Sequence, residues 1–470
     1  MTSPLWTSQE AVAATGGKAA EDWEVHGISI DTRTIKAGDM FVALKDVRDG
    51  HDFVPQAYKS GAGAFLVCQV VEDGPALVVG DTLEALEALG RAARERSSAF
   101  CCAITGSVGK TSVKEMLAQI FRAHGAAHWN VKSFNNHWGV PLTLARMPRE
   151  TERAVFEIGM NTPGEIEPRS LMVRPHAALI TKIAAAHLEG VGSEEGVALE
   201  KSAIFAGLVS GGAAILPQDD KFFEFLKSKT LAVCPDARIL TFGSKDADAV
   251  IQSSETDGAA SKFDLTIAGQ TVTVSINATG SHWGDNIAAA LLMAVQSGLS
   301  PREAADALNG YTPPEGRGNA EWLNLPDGGK ALMVDDAYNA NPESMRAALS
   351  GFALRPSARK IVALGEMKEL GPEADSLHEA LSAHVIACSP VQVFLVGEGI
   401  KPLAKALEGR VEVAWFSTAA EVQKKVNNFL ISGDALLIKG SNASGMRTLA
   451  DGLRNWSKAQ SSADADMRGG

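Results

Sequence analysis

Short apolar runs alternate with amphipathic stretches of helical period along most of this chain. Near the start, residues 39–44 (DMFVAL) and 63–67 (GAFLV) predict buried strands, and Thr82–Arg96 carries leucines on one side of a predicted helix. Residues 99–104 (AFCCAI) predict a strand that leads into a glycine-containing loop, and a helix is expected from Thr111. Apolar runs recur in RAVFEI, HAALIT and GGAAIL, with helical stretches between them. This alternation is typical of a mainly parallel sheet covered by helices.

Two segments depart from that alternation. Phe263–Ile276 alternates apolar and polar residues around a glycine turn and predicts a β-hairpin. Tyr311–Gly318 is rich in proline and glycine and predicts a connector between domains. After it, KALMV, KIVAL, VQVFLV, VEVAWF and DALLIK are five strand candidates interleaved with helices, the pattern of a Rossmann-like unit. The G-x-G-x-x-G motif does not occur there, so the pattern does not indicate a dinucleotide.

The domain organisation follows from these boundaries and from length. A chain of 470 residues corresponds to about three domains of ordinary size. We therefore predict an α/β protein with a small N-terminal domain (residues 1–96), a central parallel-sheet domain (97–314) and a Rossmann-like C-terminal domain (315–470).

Composition narrows the range of functions. The net charge of −12 argues against a general nucleic-acid binder, although a cleft in an acidic protein can be locally positive. The five cysteines lack metal-ligand spacing and are expected to be free thiols in a reducing compartment. The first residues lack the basic and apolar regions of a signal peptide, and no run of ~18 apolar residues predicts a membrane span. We therefore expect a cytoplasmic protein.

The loop after the first central strand predicts a nucleotide site. It contains G-x-x-G-K-T, the second half of the phosphate-binding pattern, with Ile104 where the first glycine would stand. Glycines let backbone amides surround phosphate oxygens, and the helix N-terminus adds partial positive charge. The alternative is a strand–turn–helix that merely contains glycines. The predicted nucleotide-binding residues are Thr105, Gly106, Ser107, Val108, Gly109, Lys110, Thr111 and Ser112.

Three other residues can be interpreted as part of the same site. Glu157 ends an apolar strand, where a carboxylate either binds Mg²⁺ or faces solvent. His187 follows the strand HAALIT, and Lys201 lies on the next predicted helix. An isolated histidine is more often structural than a ligand, and an isolated helical lysine is usually a solvated charge. A lysine ammonium cannot bind Mg²⁺ because it has no lone pair.

Two stretches rich in asparagine also follow strands or precede turns. SFNNHWGVPLTL places Asn135 and Asn136 ahead of a glycine and a proline, and DDAYNANPESM (Asp335–Met345) follows the strand KALMV. Ligands of open α/β sheets bind just past such strand ends. Alternatively, the asparagines cap the local backbone, and a helix begins near Pro342.

Taken in order, these stretches resemble the Mur ligase family, the ATP-dependent enzymes that form amide bonds in peptidoglycan synthesis. The resemblance rests on TGSVGKT, FNNHWGVP, the strand of Glu157, HLEGVGS with EKSAIF, GSHWGDNIAAA, PPEGRG and DDAYNANPESM, and it covers essentially the whole chain. KSFNNHWGVPLTL, DDAYNANPESM and GEMKELG resemble the members that attach D-alanyl-D-alanine to UDP-N-acetylmuramoyl-tripeptide. The D-N-P-R motif of members that add the third residue is not found.

The resemblance implies a ligase mechanism with ATP and two Mg²⁺ ions. The tripeptide carboxylate would form an acyl phosphate with the γ-phosphate, and the amine of D-alanyl-D-alanine would then displace phosphate. Thr111 and Glu157 would hold one Mg²⁺, and His187 and a carbamylated Lys201, with Glu157 as a further candidate ligand, would hold the second. The implied catalytic residues are Lys110, His187 and Lys201. The implied nucleotide contacts beyond the loop are His282, Asn286, Arg317, Asp336 and Asn339, and the implied substrate contacts are Asp31, Thr32, Arg33, Asn135 and Asn136.

The resemblance also assigns the UDP end of the substrate to residues 1–96, ATP to the central domain, and the D-alanyl-D-alanine side to a C-terminal domain that closes on the nucleotide. Two residues depart from the family pattern. Thr32 stands where the family usually has serine, which keeps the hydroxyl. Lys182 stands where the family often has asparagine, and an added positive charge beside two Mg²⁺ ions is unexpected. We expect a monomer.

Three alternatives are weighed at this level. A non-catalytic nucleotide-binding scaffold is disfavoured by the intact Lys110, Thr111, Glu157, His187 and Lys201. Folylpolyglutamate synthases share the loop and the carbamylated lysine but lack the N-terminal UDP-binding unit. A plain phosphate-loop NTPase would hydrolyse ATP without forming an amide.

Overall fold

A computed structural model describes residues 3–72, 74–131, 133–185 and 188–468. These residues form three α/β domains, each built on its own sheet. Short 3-10 turns at Gly50–Phe53, Ala203–Gly207, Gly371–Glu373 and Asn442–Ser444 supplement the α-helices. No helix among the described residues has the length and apolar character needed to cross a membrane.

The N-terminal domain contains a five-stranded sheet of order β2-β7-β6-β5-β4 and a small antiparallel ribbon of β1 and β3. The predicted strands DMFVAL and GAFLV are its central β5 and β6. Asp81 caps the predicted helix α3 by accepting bonds from the amides of Leu83 and Glu84. The elements are β1 (Trp6–Thr7), α1 (Ser8–Thr15), β2 (Lys18–Ala19), β3 (Glu24–Val25), β4 (Gly27–Ser29), β5 (Asp39–Val42), α2 (Val54–Lys59), β6 (Ala64–Val67), β7 (Ala76–Val78) and α3 (Thr82–Glu95).

The central domain contains a nine-stranded sheet of order β16-β15-β14-β13-β12-β11-β8-β10-β9. Its strands are parallel from β9 to β14, and β14, β15 and β16 are antiparallel, so the predicted parallel sheet and hairpin are both confirmed. The elements are β8 (Phe100–Thr105), α4 (Lys110–Ala123), β9 (Ala127–Trp129), α5 (Gly139–Ala145), β10 (Arg153–Glu157), α6 (Ile166–Val173), β11 (Ala177–Ile180), α7 (Leu188–Val191), α8 (Glu194–Ser202), β12 (Ala213–Pro217), α9 (Phe223–Val233), β13 (Arg238–Gly243), β14 (Ala249–Thr256), β15 (Ser261–Ile267), β16 (Gln270–Ile276), α10 (His282–Gln296) and α11 (Pro301–Leu308).

The C-terminal domain contains a six-stranded sheet of order β17-β18-β22-β19-β20-β21, parallel except for β17. All five predicted strands are present, and the antiparallel edge strand β17 was not predicted. The elements are β17 (Asn319–Asn324), β18 (Lys330–Asp336), α12 (Pro342–Ala353), β19 (Lys360–Gly365), α13 (Ala374–Glu379), α14 (Ser382–Ala387), β20 (Gln392–Val396), α15 (Lys401–Leu407), β21 (Val413–Phe416), α16 (Ala419–Phe429), β22 (Ala435–Lys439) and α17 (Met446–Arg468).

The register of the central sheet brings the polar strand ends together. Glu157 of β10 pairs with Ile104 of β8, and Thr105 of β8 pairs with Ile180 of β11. Because these strands are parallel, their carboxyl ends meet at one edge, where ligands of open α/β sheets bind. Apolar side chains on both sheet faces pack against helices, and this packing fixes the position of the edge.

Candidate functional site

The loop between β8 and α4 has a backbone that requires glycine at two positions. Gly106 has a φ of 149° and Gly109 a φ of 84°. A Cβ on Gly106 would overlap the hydroxyl of Thr181, and a Cβ on Gly109 would lie 2.5 Å from Oδ1 of Asn286. The absent first glycine does not matter, because Thr105 still belongs to β8 and the turn begins after it.

Contacts from the segment after β11 hold this loop in shape. The Thr181 hydroxyl donates to the carbonyl oxygen of Val108 at 2.5 Å. The Ser107 amide donates to the carbonyl oxygen of Lys182 at 2.8 Å, and the Ser107 hydroxyl donates to that of Ala184 at 2.9 Å. The conformation therefore depends on two neighbouring strand ends and is a property of the sheet as well as of the local sequence.

Lys110 begins α4 and turns back across the loop. Its Nζ donates to the carbonyl oxygen of Gly106 at 2.5 Å. Burial lowers the pKa of Lys110, and the carboxylate of Glu157 acts in the opposite direction. An ammonium in this position is available for the terminal phosphates of a nucleotide bound in the loop.

Glu157 is buried and its carboxylate is held on both oxygens. Thr111 Oγ1 donates to Oε2 at 2.9 Å, and Asn135 Nδ2 donates to Oε1 at 2.7 Å. The Glu157 amide donates to Oδ1 of the fully buried Asn130 at 2.6 Å. Asn136 instead accepts from the Gly139 amide at 2.9 Å, so the local capping interpretation holds for one asparagine of the pair.

Lys201 lies on α8 with 1% of its surface exposed, and it lines the same cavity as Glu157. Burial, reinforced by the ammonium of Lys110, holds the pKa of Lys201 well below its usual range. The interpretation of Lys201 as a solvated surface charge is therefore wrong. His187 lies outside the described residues.

The donor set beside the loop fits a hard divalent cation. The Thr111 hydroxyl and the Glu157 carboxylate are oxygen ligands of the kind that Mg²⁺ prefers, and they lie in hydrogen-bonding contact. Among the described residues, no group of three or more His, Cys, Asp or Glu side chains forms a metal-binding cluster. A second ion would need oxygens that an unmodified Lys201 does not supply.

The C-terminal domain forms the side of the cavity that lies opposite the phosphate loop. Lys439, 2% exposed at the end of β22, donates to Oδ2 of Asp336 at 2.7 Å and to the carbonyl oxygen of Asn339 at 3.1 Å. The guanidinium of Arg317 lies 3.9 Å from the centre of the Tyr338 ring. These contacts orient the segment DDAYNAN toward the phosphate loop.

The start of α12 contacts the phosphate loop directly. Asn341 Nδ2 donates to the carbonyl oxygen of Ser107 at 3.4 Å, and Asn341 also caps α12. Lys182 forms an ion pair with Glu343 in the first turn of that helix. The unexpected positive charge of Lys182 is therefore paired across the domain boundary.

One cavity of about 640 Å³ connects these walls. His282 and Asn286 also line it from the first turns of α10, and burial lowers the pKa of His282 to about 4, which keeps the ring neutral. Asp31, Thr32 and Arg33 do not line it; Arg33 is paired with Asp31 at 2.7 Å on the exposed surface of the N-terminal domain. The predicted residues that line the cavity are Ser107, Val108, Gly109, Lys110, Thr111, Ser112, Asn135, Asn136, Glu157, Lys201, His282, Asn286, Arg317, Asp336 and Asn339.

Sequence patterns missed several residues that build the site. Lys439 ends the apolar strand DALLIK and could have been found by the strand-end rule that identified Glu157. Arg454 pairs with Asp335 of the predicted stretch DDAYNANPESM, and Asp335 also accepts from the Gly316 amide at 3.0 Å, so these contacts hold the connector that contains Arg317. Neither Asn130 nor Arg454 stands in a pattern that indicates its role.

Comparisons with known proteins agree with this architecture. Three family models match the chain: Mur ligase family, catalytic domain (residues 24–97), Mur ligase middle domain (104–294) and Mur ligase, glutamate ligase domain (321–442). UDP-N-acetylmuramoyl-tripeptide–D-alanyl-D-alanine ligase of Escherichia coli K12 is 34% identical over 451 residues, which cover 95% of this chain and 98% of that protein.

Solved structures give the same result. MurF from Acinetobacter baumannii superposes with a TM-score of 0.83 at 30% identity, covering 97% of this chain and 99% of that one. MurF ligase from Thermotoga maritima, in complex with ADP, has the same fold, with a TM-score of 0.76 at 23% identity and coverage of 92% and 98%.

Proposed function

The chain belongs to the Mur ligase family, and we propose that it is the ATP-dependent ligase that joins D-alanyl-D-alanine to UDP-N-acetylmuramoyl-tripeptide. The products are UDP-N-acetylmuramoyl-pentapeptide, ADP and phosphate, in peptidoglycan precursor synthesis. The observation that carries the proposal is the single cavity lined by the phosphate loop, by Glu157 and Lys201, and by the C-terminal domain. A plain NTPase needs only the part of the cavity that contains the phosphate loop, whereas a ligase must also hold an acceptor opposite the phosphate.

In the first step, the terminal carboxylate of the tripeptide attacks the γ-phosphorus of ATP, the bond from that phosphorus to the β–γ bridging oxygen breaks, ADP leaves, and an acyl phosphate forms. Both reactants are anions, so the residues act mainly by positioning and by neutralising charge. Lys110 supplies an ammonium at the loop, and the amides at the N-terminus of α4 donate to phosphate oxygens. Arg317 adds a second cation, close enough to contribute to the lowered pKa of Lys110.

Thr111 and Glu157 hold one Mg²⁺ in this proposal, since they are hard oxygen donors in contact with each other. When bound, the ion neutralises phosphate oxygens as a Lewis acid. Asn135 and Asn130 keep Glu157 in one orientation. His187 and a carbamylated Lys201 are assigned to a second ion. The lowered pKa of Lys201 supports carbamylation, because only a neutral amine reacts with CO₂.

In the second step, the amine of D-alanyl-D-alanine attacks the acyl carbon, and phosphate leaves from the tetrahedral intermediate. We assign the dipeptide to the side of the C-terminal domain, whose segment Asp336–Asn339 is held by Lys439. The contacts of Asn341 and Glu343 with the central domain hold that wall against the phosphate loop and limit the access of water to the acyl phosphate. The UDP end is assigned to the N-terminal domain around Asp31, Thr32 and Arg33.

The proposal includes the predicted domain limits at residues 96 and 314, a cytoplasmic location and a monomeric state. Size-exclusion chromatography with light scattering tests the monomer, which is expected to elute at the 49.4 kDa of one chain. A stable dimer would contradict that part of the proposal without affecting the reaction.

The decisive experiment measures ADP release and pentapeptide formation with UDP-N-acetylmuramoyl-tripeptide and ATP, with and without D-alanyl-D-alanine. Coupled formation of both products only with the dipeptide supports the ligase. Turnover independent of the dipeptide would identify an NTPase. Lys110→Ala is expected to abolish ligation, and Lys405→Ala, an exposed lysine on α15, serves as the control. Full ligase activity of Lys110→Ala would contradict the mechanism.

A further inference from the structure

Lys114 is a fully buried lysine on the helix that follows the phosphate loop. Its side chain has no exposed surface, and it lies on α4 one turn after Lys110 and three residues after Thr111. Unlike those two residues, Lys114 does not line the nucleotide cavity. A lysine is rarely buried completely unless its ammonium is paired. The contacts of this ammonium therefore indicate what the residue does.

The ammonium of Lys114 contacts one charged and one backbone oxygen. Its Nζ forms an ion pair with Oε1 of Glu115 at 2.7 Å, and the Glu115 side chain remains 28% exposed. The same Nζ donates to the carbonyl oxygen of Asn130 at 3.0 Å, in a buried contact just after β9. Glu115 therefore balances the buried charge, and the contact with Asn130 joins α4 to the segment that follows β9.

Asn130 connects this contact to Glu157. Its side chain is fully buried, and its Oδ1 accepts from the Glu157 amide at 2.6 Å. Its Nδ2 donates to the carbonyl oxygen of Phe134 at 2.6 Å, which keeps the side-chain amide in one orientation. Thr111 and Asn135 hold the carboxylate of Glu157, whereas Asn130 holds the backbone from which that carboxylate extends. A displacement of Asn130 would therefore move Glu157 relative to Thr111.

Stability alone does not account for a buried ammonium at this position. Removal of an ammonium from water is costly, and apolar side chains of similar volume often replace buried ion pairs without loss of stability. The neighbouring side chains of Val113, Met116 and Leu117 on α4 are apolar and fully buried. What an ammonium adds is a charge-assisted hydrogen bond, which holds the carbonyl oxygen of Asn130 in one place.

We propose that Lys114 is a positioning residue for the metal ligand Glu157. Its ammonium fixes Asn130, and Asn130 fixes the backbone of Glu157. The carboxylate of Glu157 then stays beside the hydroxyl of Thr111, where both oxygens can bind one divalent cation. Because Lys114 does not line the cavity, it acts only through Asn130. The inference rests on the proposed function only for the assignment of Thr111 and Glu157 to Mg²⁺.

The experiment measures cation binding without turnover. Mn²⁺, followed by electron paramagnetic resonance, is titrated into wild type, Lys114→Met and Lys114→Gln, each with a non-hydrolysable ATP analogue and with the protein in excess. Both substitutions remove the contact with Asn130 and are expected to raise the Kd for Mn²⁺ about tenfold or more, as for loss of a contact that orients a metal ligand. The Kd for the analogue without a divalent cation is expected to change less than about twofold, because the phosphate loop stays intact.

Two further variants separate positioning from a general loss of structure. Arg94→Met is the matched control, because Arg94 is also a buried cation, donates to two backbone carbonyl oxygens at the end of α6, and does not line the cavity. It is expected to lower the melting temperature without changing the Kd for Mn²⁺. Asn130→Ala removes the link to Glu157, so Lys114→Met is expected to add less than about twofold in that background.

Three results would overturn the proposal. The first is a folded Lys114→Met variant whose Kd for Mn²⁺ stays within about twofold of wild type. The second is an equal loss of affinity for the cation-free analogue, because the whole phosphate loop would then be displaced. The third is additivity of Lys114→Met and Asn130→Ala, which would exclude the route through Asn130. If Lys114→Met does not fold, the same criteria apply to Lys114→Gln. A wild type that binds Mn²⁺ and the analogue but does not ligate would instead contradict the proposed function.

Discussion

Gly106→Ala tests whether the shape of the phosphate loop depends on the segment after β11. The backbone there has a φ of 149°, a region that costs a residue with a side chain about 1–3 kcal/mol. The added methyl would also overlap the Thr181 hydroxyl and lie 3.1 Å from both Cβ and the amide nitrogen of Thr181. Overpacking of this kind costs about 1–3 kcal/mol.

Together the two effects amount to about 2–6 kcal/mol. A domain with an ordinary stability of about 5–15 kcal/mol stays folded over most of that range and relieves the conflict by moving the loop. The loss should therefore appear in nucleotide binding. Since 1.4 kcal/mol corresponds to a factor of ten, the affinity is expected to fall at least about 30-fold.

The assay is calorimetric titration with a non-hydrolysable ATP analogue and Mg²⁺, combined with thermal unfolding. Gly298→Ala is the matched control, because its φ of 93° is also positive but a Cβ there meets no atom within 4 Å. The control is expected to lose stability without losing affinity. If Gly106→Ala binds the analogue within threefold of wild type, the loop does not depend on glycine as argued.

Three further predictions follow from individual contacts. The first is a double-mutant cycle of Lys182→Ala and Glu343→Ala, with kcat/KM for ATP as the readout. We expect a coupling energy of about 0.3–1 kcal/mol that decreases with added salt, because the ion pair is partly exposed. Additive effects of the two substitutions would contradict the contact. Buffer freed of CO₂ should lower ligase activity and bicarbonate should restore it, whereas Lys201→Ala should respond to neither; a wild type indifferent to bicarbonate would exclude carbamylation. Burial lowers the pKa of His128 from 6.5 in the unfolded chain to about 4 in the folded protein. The neutral ring therefore contributes up to about 3 kcal/mol to the free energy of unfolding above pH 6.5, and this contribution is lost as the pH falls toward 4. The free energies of unfolding of wild type and His128→Gln, measured in urea across that pH range, should converge at low pH. Parallel pH dependences would refute the lowered pKa of His128.

The sequence by itself identified the features that depend on local chain geometry. Gly106 and Gly109 stand where positive φ angles are needed, and the motif contains them because residues with a side chain rarely adopt those angles. Glu157 and the segment from Asp335 were located because apolar runs predict parallel strands, whose carboxyl ends share one edge. The hydrophobic pattern likewise determined the three α/β units, since periodicity reports which face each element buries.

Only the tertiary structure decided which side chains meet across that edge. Lys439 contacts Asp336 although 103 residues separate them, and Lys182 pairs with Glu343 across 161 residues. Such contacts depend on the relative placement of elements and on side-chain directions to within about an ångström, because hydrogen bonds are short and directional. No local pattern carries that information, which arises when separately folded sheets and helices pack against one another.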